Sequence, residues 1–332
     1  MKAGYWKLDA PSSTQILFEE VFLVMRFPGF YDPSRIGTLF YPDVAAIAAD
    51  AAAAGLRPAA ADHEDTHLVI IDMQIDFCHA RGNLHVPGSV ADIQRTIEFI
   101  YRNAERITHI TCSLDSHLPA QIFSPGWWVD RDGRHPAPFT IIAWADVQAG
   151  AWRPRLEPEA SAAYVRQLEQ QHKKQLCIWP YHVQIGSIGH ALDPELWSAV
   201  FWHALARQVQ PVWLAKGRVP LTEHYSILQP EVLVPSDPEG GQNRAFLEIL
   251  AQADQIVIAG EAESHCVLET VEDLVEELGD RPEMLRKIFF LRDCTSPVLH
   301  PEIDFQAITQ DRLAEFARQG VNFIDSTAPL PF

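Results

Sequence analysis

From His67 onward the chain repeats one pattern of organisation: a short apolar run, a turn, then a longer stretch whose apolar residues recur at helical spacing. This alternation constrains the fold strongly. Parallel strands need a crossover long enough to return to the starting end of the sheet, and a helix supplies it. The strands predicted are HLVIID, HITCSLD, QLCIW, PVWLAK, QIVIAG, KIFFLRD and VNFID, with helices around 90–106, 157–173, 194–208, 242–253, 265–278 and 304–319. The expected class is therefore α/β, with ligands bound at the carboxyl ends of the strands near the point where strand order reverses.

The ends of the chain and its middle read differently. Residues 1–62 hold an apolar helix candidate at 14–27, a Pro/Gly/Tyr stretch and the alanine-rich run DVAAIAADAAAAGL. Their apolar content is too high for a disordered tail, so an extension packing on a main domain at 63–332 is expected. A second irregular segment, about 118–155, contains SPGWWVDRDGRHPAP and QAGAWRP and reads as a structured loop insertion of the kind that often covers an active site. The pair Trp127 and Trp128 serves either to anchor that loop or to reshape a pocket.

Charge and cysteine usage exclude several classes. The formal net charge of −18 is spread along the sequence, which argues against a polyanionic partner such as nucleic acid. No apolar stretch reaches membrane-spanning length, and MKAGYWKLDAPSSTQ lacks the basic-then-apolar build of a signal peptide, so a cytoplasmic protein without a membrane partner is expected. Five cysteines without CxxC spacing suggest free thiols, not a disulfide framework or a zinc ribbon.

Four strand ends carry reactive side chains: Asp72 after the first run, Asp115 and His117 after the second, Lys216 after PVWLA, and Cys266 just past QIVIAG. In a parallel sheet these ends lie side by side. Cys266 falls where a helix begins, and the free N–H groups there favour a thiolate and can hold an oxyanion. A carboxylate and a lysine beside it would complete a covalent-catalysis unit. Singly, each has a plainer reading: Cys266 as filler of a strand-to-helix corner, Asp72 as a helix cap, Lys216 as an ordinary strand end. Asp115 and His117, one residue apart, could reach one ion, and His182 in CIWPYHVQIGS could add a third ligand, a set compatible with zinc, iron or manganese.

The pieces IIDMQIDFCHARGNLHVPGS, SLDSHLP, IWPYHVQIGSIG, AKGRVPLTEHYS and IAGEAESHCV together resemble the nicotinamidase branch of the isochorismatase-like cysteine hydrolases, in that family's order. The resemblance implies a three-layer α/β/α fold with a mostly parallel six-stranded sheet. It implies Cys266 as nucleophile, Asp72 as its general base and Lys216 as the third member of the triad. It implies a catalytic divalent ion, zinc first, on Asp115, His117 and His182. It also implies a cis peptide between Glu261 and Ala262, an oxyanion pocket formed by the backbone amides of Ala262 and Cys266, and a flat substrate ring flanked by Phe77 and Trp179.

Departures bear on the substrate. The family usually has an aromatic residue where Ser116 stands, and LPAQIFS offers none of the further ligands that some members add. The expected partner is a small planar amide, with nicotinamide the first candidate. Other carboxamides, carbamoyl compounds, maleamate-like acid amides and a non-catalytic metabolite- or partner-binding relative are the alternatives. Relatives commonly self-associate, so a homo-oligomer is expected.

Overall fold

The computed structural model describes residues 27–171 and 174–330. Six parallel strands form the central sheet: β1 (Thr66–Ile71), β2 (His109–Asp115), β3 (Val212–Lys216), β4 (Gln255–Gly260), β5 (Ile288–Leu291) and β6 (Asn322–Ile324). Their order is β6-β5-β4-β1-β2-β3. The chain thus builds outward from β1 to β3, crosses back, and builds outward again from β4. The reversal falls between β1 and β4, where residues Thr66 to Ile71 pair with Gln255 to Gly260. A crevice outside the carboxyl ends of these two strands is the ligand site such topology provides.

Both faces of the sheet are covered at its centre, which explains why β1 is buried throughout and runs through residues 68–71 without alternating with polar residues. Leu68 and Ile70 pack into one layer with α1 (Val44–Ala53), α2 (Ser89–Arg102) and α4 (Pro194–Ala206). Val69 and Ile71 pack into the other with α5 (Arg244–Gln252), α6 (Leu268–Leu278) and α7 (Phe305–Gln319). Fully burying one such side chain stabilises by roughly 1.5–3 kcal/mol relative to exposure. The remaining long helix, α3 (Pro158–Gln170), packs Tyr164, Val165 and Leu168 into the first of these cores. The architecture is the expected three-layer α/β/α.

Where β4 meets β1 a glycine is required. Gly260 has φ +143°, and a Cβ there would come within 2.3 Å of the Ile71 carbonyl oxygen. No larger residue fits so close to the neighbouring backbone.

Residues 27–62 lie against α4 and its C-terminal turn. The Trp202 indole donates to Asp50 at 2.8 Å, the Ala59 N–H to the Arg207 carbonyl at 2.7 Å, and the Arg207 guanidinium to the Arg57 carbonyl at 2.5 Å. The alanine-rich run forms α1, capped by Asp43, whose carboxylate accepts from the Ala46 N–H at 3.0 Å. The helix candidate at 14–27 lies outside the described residues except for Phe27, and residues 172–173 at the end of the helix expected over 157–173 also lie outside them.

One predicted strand belongs elsewhere. QLCIW contributes Leu176–Cys177 to a two-stranded antiparallel pair with Ile141–Ile142, outside the central sheet. The insertion over 118–155 is ordered by its tryptophans: Trp127 donates to Ser161 Oγ at 2.9 Å, and Trp128 to the Ile122 carbonyl at 2.6 Å. Both rings are buried, so they anchor the loop. All five cysteines are free and buried. No helix among the described residues is long and apolar enough to cross a membrane.

Candidate active site

Asp72 is the first residue past β1, in a left-handed turn with φ 49°. Its Oδ1 accepts from Ser113 Oγ at 2.6 Å, and that hydroxyl in turn accepts from the Asp72 N–H at 3.1 Å. Lys216 ends β3. Its ammonium reaches Asp72 Oδ2 at 2.9 Å, Asp115 Oδ1 at 3.1 Å, the His224 carbonyl at 2.8 Å and Cys266 Sγ at 3.5 Å. One buried cation therefore joins three of the strand ends.

Cys266 lies in a π-helical turn, Glu263–Val267, that precedes α6. Such turns widen the helix and often mark functional sites. The thiol is 6% exposed. The Glu261–Ala262 peptide is cis. The Ala262 N–H has no backbone hydrogen-bond partner among the described residues.

Protonation follows from burial. Burial would lower the Lys216 ammonium, but Asp115 and Asp72 hold it well above its ordinary range, so it stays charged. Burial pushes the Asp72 carboxyl up against the pull of Lys216, which makes it a stronger base than an exposed aspartate. Burial also pushes the Cys266 thiol well up, with the Asp72 and Asp115 charges adding to the effect and Lys216 opposing it. This opposes the helix-terminus argument for a resting thiolate: desolvation and the neighbouring carboxylates favour the thiol, with Asp72 beside it as a base.

Asp115, His117 and His182 come together, with one donor atom from each within 4.8 Å of the others. His117 Nε2 is 3.0 Å from Asp115 Oδ2. The Pro180 carbonyl can only accept, so His182 Nδ1 carries the proton of their 2.7 Å contact and Nε2 keeps its lone pair. Burial and the nearby His117 push His182 down to about 3, leaving it neutral and suited to bind a metal. His117 and Lys216 hold Asp115 well below the usual carboxylate range despite its burial. Gly217 keeps the space clear: with φ +82°, its missing Cβ would sit 2.5 Å from Asp115 Oδ1. Two imidazoles and one carboxylate form a donor set that fits a divalent ion.

Residues not singled out by sequence reasoning brace this set. Gln74 clamps the end of β2, accepting from the Asp115 N–H at 2.8 Å and donating to the Asp115 carbonyl at 2.8 Å. Asp76 accepts from the Val183 N–H at 2.6 Å. Val183 has φ 41°, a conformation a β-branched residue adopts only under constraint, and it follows His182 directly. Both braces lie in the stretch IIDMQIDF that leads out of β1, at even spacing from Asp72.

Phe77, Phe123, Trp179, Tyr225, Ala262 and His265 enclose a cleft of about 440 Å³, its open mouth included, with Cys266, Asp115, His117 and His182 on its wall. A larger groove of about 1390 Å³ adjoins it and shares Tyr225 and His265. That groove holds none of the metal-site residues, and its cations Lys174 and Arg312 are paired with Glu269 and Glu272. Cys266 and the candidate metal ligands lie in the smaller cleft.

The chain matches no protein-family model and no curated protein sequence. Its fold is nevertheless shared with solved structures. The yeast nicotinamidase bound to the inhibitor nicotinaldehyde superposes with a TM-score of 0.53 at 18% identity, over 78% of this chain and 99% of the other. A nicotinamidase and pyrazinamidase of Acinetobacter baumanii gives 0.51 at 18% identity, over 80% of this chain and 97% of the other. At this identity the likeness is one of fold, which the chain shares with these two structures.

Proposed function

We propose that this protein is a metal-dependent cysteine amidohydrolase acting on a small, neutral, planar amide, with nicotinamide the first candidate. The observation that carries the reading is the Lys216 ammonium placed between Asp72 at 2.9 Å and the Cys266 sulfur at 3.5 Å, at the switch point of the sheet.

Asp72 takes the thiol proton as the sulfur attacks the amide carbon. The developing oxyanion meets the backbone amides of Ala262 and Cys266. Asp72 returns the proton to the departing nitrogen, which leaves as ammonia. A water then attacks the thioester, Asp72 accepting its proton and passing it to the released sulfur. Lys216 stays charged through both halves and keeps carboxylate and sulfur in register. Asp115, His117 and His182 would hold a divalent ion, which would supply Lewis-acid chemistry to orient the substrate and acidify a water.

The cleft itself favours a neutral substrate. Its walls are largely aromatic, and among the described residues no lysine or arginine lines it, so an acid amide would find no cationic side chain for its carboxylate. Flat rings suit such walls, and Phe77 and Trp179 both line them.

The test is ammonia release from nicotinamide by the metal-replete full chain, with Cys266→Ala as control. The variant is expected to lose all turnover while keeping its thermal transition. Turnover by Cys266→Ala would remove the cysteine from the mechanism, and bound metal without turnover would direct the search to other neutral amides.

A further inference from the structure

One buried carboxylate in the cleft has no part in this chemistry. Glu223 is 2% exposed, yet its Oε1 accepts from Trp179 Nε1 at 2.8 Å and from the Tyr225 hydroxyl at 2.5 Å. Its Oε2 accepts from the Tyr164 hydroxyl at 3.3 Å, and its own N–H donates back to that oxygen at 3.2 Å. Three separate segments are tied at one side chain: α3 through Tyr164, the loop past Cys177 through Trp179, and the turn past β3 through Tyr225.

A carboxylate buried among rings is costly unless its hydrogen bonds are made. Burial pushes Glu223 up to about 7, with the bonds from Tyr225 and Trp179 opposing the shift. What those bonds achieve is orientation. The Trp179 indole stands edge-on to His265, ring centres 5.2 Å apart at 85°, and edge-on to Phe139 at 5.8 Å and 82°. Edge contacts alone leave an indole free to rock about its long axis, whereas a donor fixed to a buried acceptor does not. The same N–H also reaches the Tyr225 hydroxyl at 3.0 Å, and that hydroxyl in turn donates to Glu223, so the carboxylate anchors both rings. Tyr225 is held by the same oxygen and separates the cleft from the adjoining groove.

We infer that Glu223 is a positioning residue whose carboxylate fixes Trp179 and Tyr225 as a rigid aromatic wall, and that this wall gives the cleft its preference for flat ligands. The preference concerns the ligand bound beside Cys266, so it rests on the amidohydrolase reading for its substrate. The wall itself does not.

The experiment compares alkylation of Cys266 in the full chain by two electrophiles, iodoacetamide and the flat aromatic 2-bromoacetophenone, each quantified at Cys266 by peptide mass mapping. In the native protein the aromatic reagent is favoured. In Glu223→Ala the ratio of aromatic to aliphatic rate falls roughly fivefold to tenfold, the scale set by losing the hydrogen bonds that hold one ring, while the iodoacetamide rate stays within about twofold.

Glu223→Gln keeps the shared acceptor for Trp179 and Tyr225 and restores most of the ratio. Trp179→Phe keeps a ring but cannot donate to Glu223. It is expected to lose the preference as Glu223→Ala does, and it decides the matter if Glu223→Ala does not fold. Placing Glu223→Ala on Trp179→Phe then adds little further loss. An unchanged ratio in either single variant, or a parallel fall of both rates, overturns the inference. Absence of amide turnover by the native protein would instead fail the amidohydrolase reading and leave the alkylation ratio to report on Glu223.

Discussion

Asp72→Asn separates two roles that a triad carboxylate combines. The asparagine side chain has nearly the same shape and can still accept from Ser113 Oγ, which lies 2.6 Å from Oδ1. It can neither take a proton from the thiol nor carry charge. Amide turnover should therefore fall by roughly 10²–10⁴, the range spanned by general acid–base catalysis. The thiol should respond in the opposite sense, because the Asp72 charge is one of the groups pushing Cys266 up while Lys216 remains beside the sulfur.

The Lys216 ammonium lies 2.9 Å from Asp72 Oδ2 and 3.5 Å from the sulfur, so carboxylate and sulfur are at most about 6 Å apart. Removing a unit charge at that separation in an effective dielectric of about 20 is worth about 3 kcal/mol, or some two pKa units. At neutral pH, where thiolate is the minor form, this raises its fraction by about a hundredfold. Lower basicity makes each thiolate less nucleophilic, with a Brønsted slope near 0.5, so the net gain in alkylation is roughly tenfold. The assay is iodoacetamide alkylation of Cys266 followed against pH, alongside ammonia release. The expected pair is faster alkylation, with its midpoint displaced to lower pH, and near-complete loss of turnover. Alkylation that slows or keeps its pH midpoint would show that Asp72 is not electrostatically coupled to the sulfur, and retained turnover would show that it is not the base.

Further outcomes follow from the same geometry. Lys216→Met leaves Asp72 and Asp115 buried without their shared cation and is expected to destabilise the metal-free protein by about 3–5 kcal/mol in urea unfolding. That loss is greatest at alkaline pH and shrinks as pH falls, because Asp72, whose carboxyl is already raised, then takes up a proton and needs no counter-ion. Gln74→Leu strips the Asp115 N–H and carbonyl and the His190 carbonyl of a buried partner, so a loss on the order of 3 kcal/mol in thermal or urea unfolding is expected. Gly217→Ala forces a Cβ to 2.5 Å from Asp115 Oδ1 in a left-handed turn, and the purified protein should hold less metal by elemental analysis. Full metal content in that variant would place the ion elsewhere.

What could be read from the sequence, and what could not, divides along a physical line. A strand buried on both faces announces itself as an apolar run followed by a helix, which is why β1, β2, β4, β5 and the helices between them are legible. The partly exposed edge strands β3 and β6 still show as short apolar runs in the same alternation. QLCIW has the same local look, but a proline-bearing turn follows it instead of a helix, and a two-residue antiparallel pair satisfies it as well as a central strand would. Asp72, Asp115, His117, Lys216 and Cys266 are legible because parallel topology gathers strand ends whatever the packing details.

The braces behind them are not legible, for the opposite reason. Gln74 acts on a strand more than forty residues away, and Glu223 on an indole equally distant in sequence. No local periodicity encodes such a contact. The protonation of Cys266 shows the same limit. A helix terminus is visible in the sequence and argues for thiolate, whereas burial at 6% exposure beside Asp72 is a property of the assembled fold and argues for thiol. In the proposed mechanism Asp72 then has a proton to remove, and that mechanism draws on a base at the end of β1 and a fixed cation at the end of β3. The residues that define the chemistry are those that topology alone brings together, and the residues that tune it are those that only packing reveals.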